Sequence, residues 1–283
     1  MLLLSPSERG VVLHGDNLEL LPRIEDASID LVYIDPPFNT GKTQRRSTLK
    51  TRRADDGDRV GFGGHRYRTQ TLASLAFDDR FDDYLTFLEP RLREAHRLLK
   101  PSGSLYFHID YREAHYCKVL LDSIFGRDNF LNEIVWAYDY GGRPKDRWPA
   151  KHDTILFYAK QAGSHVFSTE HIDRIPYMAP GLVGPEKAAR GKLPTDTWWH
   201  TIVSPTGKEK LGYPTQKPLS ILRRIVAASC LKSGVVLDFF AGSGTAGAAA
   251  LAENRRFVLI DNHPDAIATM RRRFDGELGV VFR

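Results

Sequence analysis

The chain has 283 residues, 42% of them hydrophobic, with a formal net charge of +5. This length and apolar fraction suit one α/β domain with a sizeable core and an inserted subdomain, and they exclude a disordered chain; the modest basic excess favours an anionic partner. The two cysteines, Cys117 and Cys230, are far apart and each sits in a helical pattern, which excludes a disulfide framework and a cysteine metal site and fits a reducing cytosol.

Met1 to Leu4 is apolar but stops at Ser5-Pro6, too short for a signal peptide, and no apolar run approaches the ~20 residues of a membrane helix. A soluble cytoplasmic protein without membrane contact is expected. Val11 to Leu13, the turn His14-Gly15-Asp16-Asn17 and Leu18, Leu20 and Leu21 read as strand, turn and short helix. Asp16 then stands at a strand's carboxyl end, where open α/β sheets bind ligands, although a helix cap is an equally ordinary use of it.

Ile29 to Ile34 is apolar apart from Asp30, as in a buried parallel strand, and it delivers Asp35-Pro36-Pro37-Phe38 to the same edge. Taken alone, an acid and two prolines simply stop a strand. The turn has a chemical reading as well. Prolines fix φ and carry no N–H, so Asp35 and the Pro36 carbonyl could accept both hydrogens of an exocyclic amino group, while Phe38 offers a face for a planar base.

From Lys42 to about Ser74 helical periodicity disappears and Lys42, Arg45, Arg46, Lys50, Arg52 and Arg53 cluster ahead of a glycine-rich stretch. A long mobile basic loop, residues 42–75, is expected there, suited to a phosphate backbone or merely solvated. Phe81 to Leu99 reads as a core helix with Pro90 as a kink point, Ser104 to Ile109 as a strand, and Tyr116 to Phe125 as a helix. Phe130 to Tyr138 and Thr154 to Tyr158 read as strands separated by Gly141-Gly142-Arg143-Pro144-Lys145-Asp146-Arg147-Trp148. The irregular stretch that follows, as far as Pro205, reads as an inserted recognition region.

Leu219 to Ala228 is amphipathic, and Val235 to Phe240 is a strand that runs into Ala241-Gly242-Ser243-Gly244-Thr245 and a small-residue helix. Such a strand, glycine turn and helix can hold an anionic group, or can merely pack tightly; it lacks the ending of a P-loop. Phe257 to Ile260 is a strand ending at Asp261, placed to bind ribose hydroxyls.

Together, Asp35-Pro36-Pro37-Phe38, Thr215-Gln216-Lys217-Pro218 and Phe240-Ala241-Gly242-Ser243-Gly244-Thr245 resemble the S-adenosylmethionine-dependent DNA amino-methyltransferases. Their order resembles the β class, a permuted arrangement of that fold. The resemblance covers about Leu13 to Ala268. It implies a Rossmann-like, mostly parallel sheet with helices on both faces: residues 1–140 as the catalytic half, 141–205 as target-recognition region and 206–283 as the cofactor half. It further implies that Phe240, Gly242, Ser243, Gly244 and Thr245 frame the methionine part of the cofactor. Asp261, with Asn262, would bind its ribose, and Asp16, with Asn17, its adenine. Thr215, Gln216 and Lys217 would close the pocket. Asp35, Pro36, Pro37 and Phe38 would hold the target base, with Asp35 also facing the cofactor. No metal is implied.

Aspartate at the head of the turn resembles the adenine-N6 enzymes, whereas cytosine-N4 enzymes more often carry serine there. Phe239 where proline is frequent and Ala246 where a second threonine is common are departures. The expectation is therefore adenine-N6 methylation of flipped-out bases in duplex DNA, gripped by Lys42, Arg45, Arg46, Arg52, Arg53, Arg143 and Lys145. A cognate restriction endonuclease and a homodimer are compatible with it. The alternatives are cytosine-N4 methylation, a catalytically silent DNA-binding protein of the same fold, and an enzyme acting on RNA or a small molecule.

Overall fold

The computed structural model describes residues 4–39, 42–53, 56, 59–60, 66–79, 81, 83–204 and 206–283, without side chains for the strands at 42–53 and 59–60 and for most of 66–79. In chain order it contains β1 (Gly10–His14), α1 (Asn17–Leu20), β2 (Ile29–Ile34), β3 (Lys42–Arg53), β4 (Arg59–Val60), β5 (Arg66–Asp79) and α2 (Tyr84–Leu98). β6 (Leu99–Ile109), α3 (Ala114–Phe125), β7 (Phe130–Ala137), β8 (His152–Ala159), α4 (Pro185–Arg190) and β9 (Thr197–Trp199) follow. The chain closes with α5 (Leu219–Ser229), β10 (Val235–Asp238), α6 (Thr245–Ala252), β11 (Arg256–Asp261), α7 (Pro264–Arg273) and β12 (Val280–Phe282).

Nine strands form one sheet in the order β12-β1-β11-β10-β2-β6-β8-β7-β9. Every pairing is parallel except those of β8, which runs antiparallel to both β6 and β7. The apolar strands therefore face two cores, as side chains alternating across a pleat require. Val11, Val32, Ile34, Leu105, Phe107, Leu237 and Val258 pack with Leu88, Leu92, Cys117 and Leu121 of α2 and α3. Val12, Leu31, Tyr33, Tyr106, Val236 and Leu259 pack with Leu222, Ile225 and Val226 of α5, Ala246 and Ala249 of α6 and Met270 of α7. The mostly parallel, doubly covered sheet matches the expected fold class. α2 runs as a single helix through Pro90, capped by Asp83, which accepts from Thr86 N at 3.0 Å. Among the described residues no helix is long and apolar enough to cross a membrane.

One expectation needs correction. The basic segment 42–75 is not a loop: β3 pairs antiparallel with β5 from Lys42↔Asp79 to Arg53↔Tyr67, and β4 pairs with β5. Threonines and Tyr67 give these stretches strand propensity, and the pairing satisfies backbone groups that a loop would leave to water. Part of the segment 141–205 belongs to the sheet, as the strand expected over Thr154 to Tyr158 requires. It contains β8, whose buried run from Asp153 to Ala159 fills the place between β6 and β7, and it contains β9 at the sheet's edge.

Candidate active site

The topology brings acids from neighbouring strands to one edge. Along the sheet, Asp16 follows β1, Asp261 ends β11, Asp238 ends β10, Asp35 follows β2 and Asp110 follows β6. Asp153, at the start of the antiparallel β8, falls on the same edge. All six line a cleft of about 560 Å³, within the usual range for a ligand site. Of the expected residues, Asp16, Asn17, Asp35, Pro36, Pro37, Phe38, Thr215, Lys217, Phe240, Gly242, Ser243, Thr245, Asp261 and Asn262 line it as well.

The turn after β2 is held at several points. The Tyr84 hydroxyl donates to the Pro37 carbonyl at 2.5 Å. Asn39, at φ +52°, donates to Glu113 Oε1 and accepts from Phe81 N. Lys217 Nζ donates to Asp35 Oδ2 at 2.5 Å and stands 5.0 Å from the Phe38 ring centroid. One lysine thus joins the acidic turn to the segment ahead of α5.

The glycine turn is stapled to the neighbouring strand by Asp261, whose Oδ2 accepts from Gly242 N and whose Oδ1 accepts from His263 N, both at 2.8 Å. Gly242 and Gly244 adopt φ of +50° and +75°, a left-handed backbone that side chains disfavour. A Cβ on Gly242 would stand 3.1 Å from the Tyr213 ring, while one on Gly244 would meet Met270 at 2.8 Å. Gly244 thus serves the packing of α6 on α7 and is not among the lining residues. Burial drives the Asp238 carboxyl well above its ordinary range, with Asp35 and Asp261 adding to the effect, and burial also raises Asp261. The edge consequently holds more acid than base.

Two of the residues expected at the cofactor also carry structural hydrogen bonds. Asn17 donates to the Phe239 carbonyl at 2.8 Å and accepts from Arg91 Nε at 2.7 Å. Gln216, buried and not among the lining residues, bonds to Leu211 N and the Glu209 carbonyl and so shapes the loop before it. Asp16 caps α1 by accepting from Leu18 N at 2.8 Å and also lines the cleft, so both readings of it apply. Arg143 and Lys145 are exposed between β7 and β8. Lys42, Arg45, Arg46, Arg52 and Arg53 belong to β3, and their side chains lie outside the described residues.

The structure adds a network to whose residues sequence reasoning assigned no role. The Tyr33 hydroxyl meets His108 Nδ1 at 2.8 Å, His108 Nε2 meets Asp153 Oδ2 at 3.2 Å, and the Tyr138 hydroxyl donates to Asp153 Oδ1 at 3.1 Å. His108 is fully buried and its ring lies 5.9 Å from that of Phe38. Burial, the largest influence, pushes the Asp153 carboxyl up, but the hydrogen bonds and charges of His108, Lys217 and Tyr138 bring it below the usual range. An ionised Asp153 accepts on both oxygens, from His108 Nε2 and from the Tyr138 hydroxyl. Asp110 and Arg112 form an ion pair beside this network. Among the described residues no cluster of His, Cys, Asp and Glu has the form of a metal site.

A family model described as "DNA methylase" matches residues 29–272. The Escherichia coli DNA adenine methyltransferase YhdJ is 29% identical over 282 residues, spanning 95% of this chain and 84% of its own. Among solved structures, the M1.HpyAVI–SAM complex shares the fold with a TM-score of 0.59 at 19% identity, covering 94% of this chain and 99% of that one. The PvuII cytosine-N4-specific methyltransferase does so with a TM-score of 0.62 at 18% identity, covering 96% and 89%.

Proposed function

The chain belongs to the DNA methylase family, whose model spans residues 29–272, and from that premise we propose that it transfers the methyl group of S-adenosylmethionine to the N6 amino group of adenine in duplex DNA. The observation that carries this reading is the meeting of Asp35 and the glycine turn in one cleft, with Lys217 bonded to Asp35 and lining the same space.

The residues present fit the cofactor. Asp238, Asp261 and Asp16 stand where a cationic ligand with a ribose and an adenine amino group finds acceptors, and α6 begins at Thr245 with its free N–H groups toward the turn. Once bound, S-adenosylmethionine supplies an electrophilic methyl group. Asp261 keeps a second lone pair on each oxygen for hydroxyls, since each oxygen accepts one backbone N–H.

At the other end, an amino group conjugated with a purine is a poor nucleophile. Asp35 Oδ1 and the Pro36 carbonyl accept its two hydrogens, while Lys217 fixes Oδ2 and thereby the plane of the carboxylate. Orientation of this kind supplies about 7–11 kcal/mol in favourable cases. A target inside a duplex must first be flipped out at a cost of a few kcal/mol, and stacking on Phe38 returns roughly 1–3 kcal/mol of it. His108, behind Phe38, and Trp136, edge-on to His108 at 5.5 Å, hold that platform in place.

In this reading 1–140 and 206–283 are two halves of one catalytic domain, and residues 141–205 recognise the target sequence. The basic residues of β3, with Arg143 and Lys145, grip phosphates. A cognate endonuclease, a second copy of the chain and work on nucleoid DNA in the cytoplasm belong to the same proposal. Adenine is favoured by Asp35 at the head of the turn and by the name of the Escherichia coli relative. The PvuII enzyme carries cytosine-N4 chemistry on the same fold, so the fold does not choose the base. Labelled-methyl transfer to duplex DNA, single-stranded DNA and RNA tests the substrate class: incorporation into duplex DNA is expected, and incorporation only into RNA or into none would overturn the reading.

A further inference from the structure

Between β7 and β8 the chain leaves the sheet edge at Tyr138 and returns at Asp153, and both residues line the cleft. The root of this excursion is pinned, because Tyr138 N donates to the Lys151 carbonyl at 3.0 Å and Lys151 Nζ donates to the Gly141 carbonyl at 2.7 Å. Beyond the pin, residues 139–148 are all exposed. They carry Arg143, Lys145 and Arg147, so the projecting segment is basic even though Arg143 and Arg147 neighbour Asp139 and Asp146.

At its far end stands Trp148, 93% exposed. The contrast with Trp136 and Trp198 is informative: these are 2% and 7% exposed, and their indole N–H groups donate to the carbonyls of His200 and Thr195. Scattered apolar residues on a surface need no explanation. A tryptophan beside cations, on a segment whose two roots line the cleft proposed to receive a base, is a different case. Aromatic rings interleaved with basic residues suit nucleic acid, where cations meet phosphates and rings enter or cover the base stack. Pro149 biases the backbone of Trp148 toward extended conformations, and Pro144 fixes a second point, which reduces the freedom lost there on binding.

We propose that Trp148 enters the duplex where the target base leaves it, filling the gap in the stack and so holding the base in the cleft. This role rests on the proposed function. It separates Trp148 from Phe38, which stacks on the extruded base itself.

The test uses the full-length chain and a duplex carrying the site mapped by sequencing methylated DNA from an expressing host. Single-turnover methylation is measured for wild type, Trp148→Ala and Trp148→Phe, with the target adenine either paired or opposite an abasic site, where flipping meets little resistance. Trp148→Ala is expected to be slower on the paired duplex by roughly tenfold or more, Trp148→Phe by less than about threefold, and the abasic duplex to bring Trp148→Ala within about threefold of wild type. Equal affinity for S-adenosylmethionine across the three proteins confirms that the variants are folded. An alanine variant at wild-type rate on the paired duplex overturns the proposal. So does an equal deficit on both duplexes, which would assign Trp148 to general DNA affinity. A wild-type protein that methylates neither duplex overturns the function itself, and this role with it.

Discussion

Lys217 Nζ lies 2.5 Å from Asp35 Oδ2, joining residues 182 apart in the chain, with their side chains 12% and 15% exposed. The pair ties the turn that would hold the base to the segment that would close the cofactor end. Removing one partner leaves the other charge largely buried, which typically costs about 3–5 kcal/mol. Lys217→Met should therefore lower the melting temperature and reduce kcat/KM by at least about tenfold. A double-mutant cycle with Asp35→Asn should show coupling above about 1 kcal/mol. Additive effects in both stability and rate would mean that the two side chains do not act together.

Gly242→Val should weaken binding of S-adenosylmethionine by at least about tenfold in titration calorimetry, since a β-branched residue resists φ of +50° and its Cβ would crowd the Tyr213 ring at 3.1 Å. Unchanged affinity in a folded variant would remove the glycine turn from the cofactor site.

Burial, then Asp35 and Asp261, raise the Asp238 carboxyl well above the ordinary 3.8. Because the folded pKa is the higher one, this group's contribution to stability is complete below the unfolded value and is lost as pH rises through the folded value. A cationic ligand favours the ionised form, so binding of S-adenosylmethionine should release protons and tighten with pH across that window. Calorimetry in two buffers of different ionisation heat measures the release, and Asp238→Asn should remove most of it. An equal release from the variant would place the titrating group elsewhere.

Asp153 is the opposite case. With its carboxyl below the usual range, it contributes stability above the ordinary carboxylate value, and the contribution is lost as pH falls through the folded pKa. Asp153→Asn should make the protein less dependent on pH below about 4 and lower kcat by roughly tenfold, while leaving cofactor affinity within about threefold. A loss of cofactor affinity matching the loss of rate would make the network a general structural support rather than a setting for Phe38.

Much of the site was legible because acids close parallel strands. That reasoning reached Asp16, Asp35 and Asp261, and it applies equally to Asp110 after β6 and Asp238 at the end of β10, which were passed over. Asp153 could not be found that way, since it begins an antiparallel strand and only the pairing Ile109↔Thr154 brings it to the edge. Tyr33 and His108 lie inside apolar strands, where a polar residue reads as core until its partner across the sheet is known. The structural hydrogen bonds of Asn17 and Gln216 were not legible because a side-chain amide near a ligand motif looks the same in sequence whether it faces the ligand or the backbone. The hairpin of β3 and β5 was missed by searching for helical periodicity where Tyr67, Thr69 and Thr71 alternate with a period of two.

The most direct test of the central claim is mass-spectrometric nucleoside analysis of duplex DNA incubated with S-adenosylmethionine and either the wild-type chain or Asp35→Ala. N6-methyladenine is expected from the wild type and none from the variant, with cofactor binding by the variant largely retained. N4-methylcytosine from the wild type would contradict the assigned base, and N6-methyladenine at a near-normal rate from Asp35→Ala would contradict the assigned chemistry.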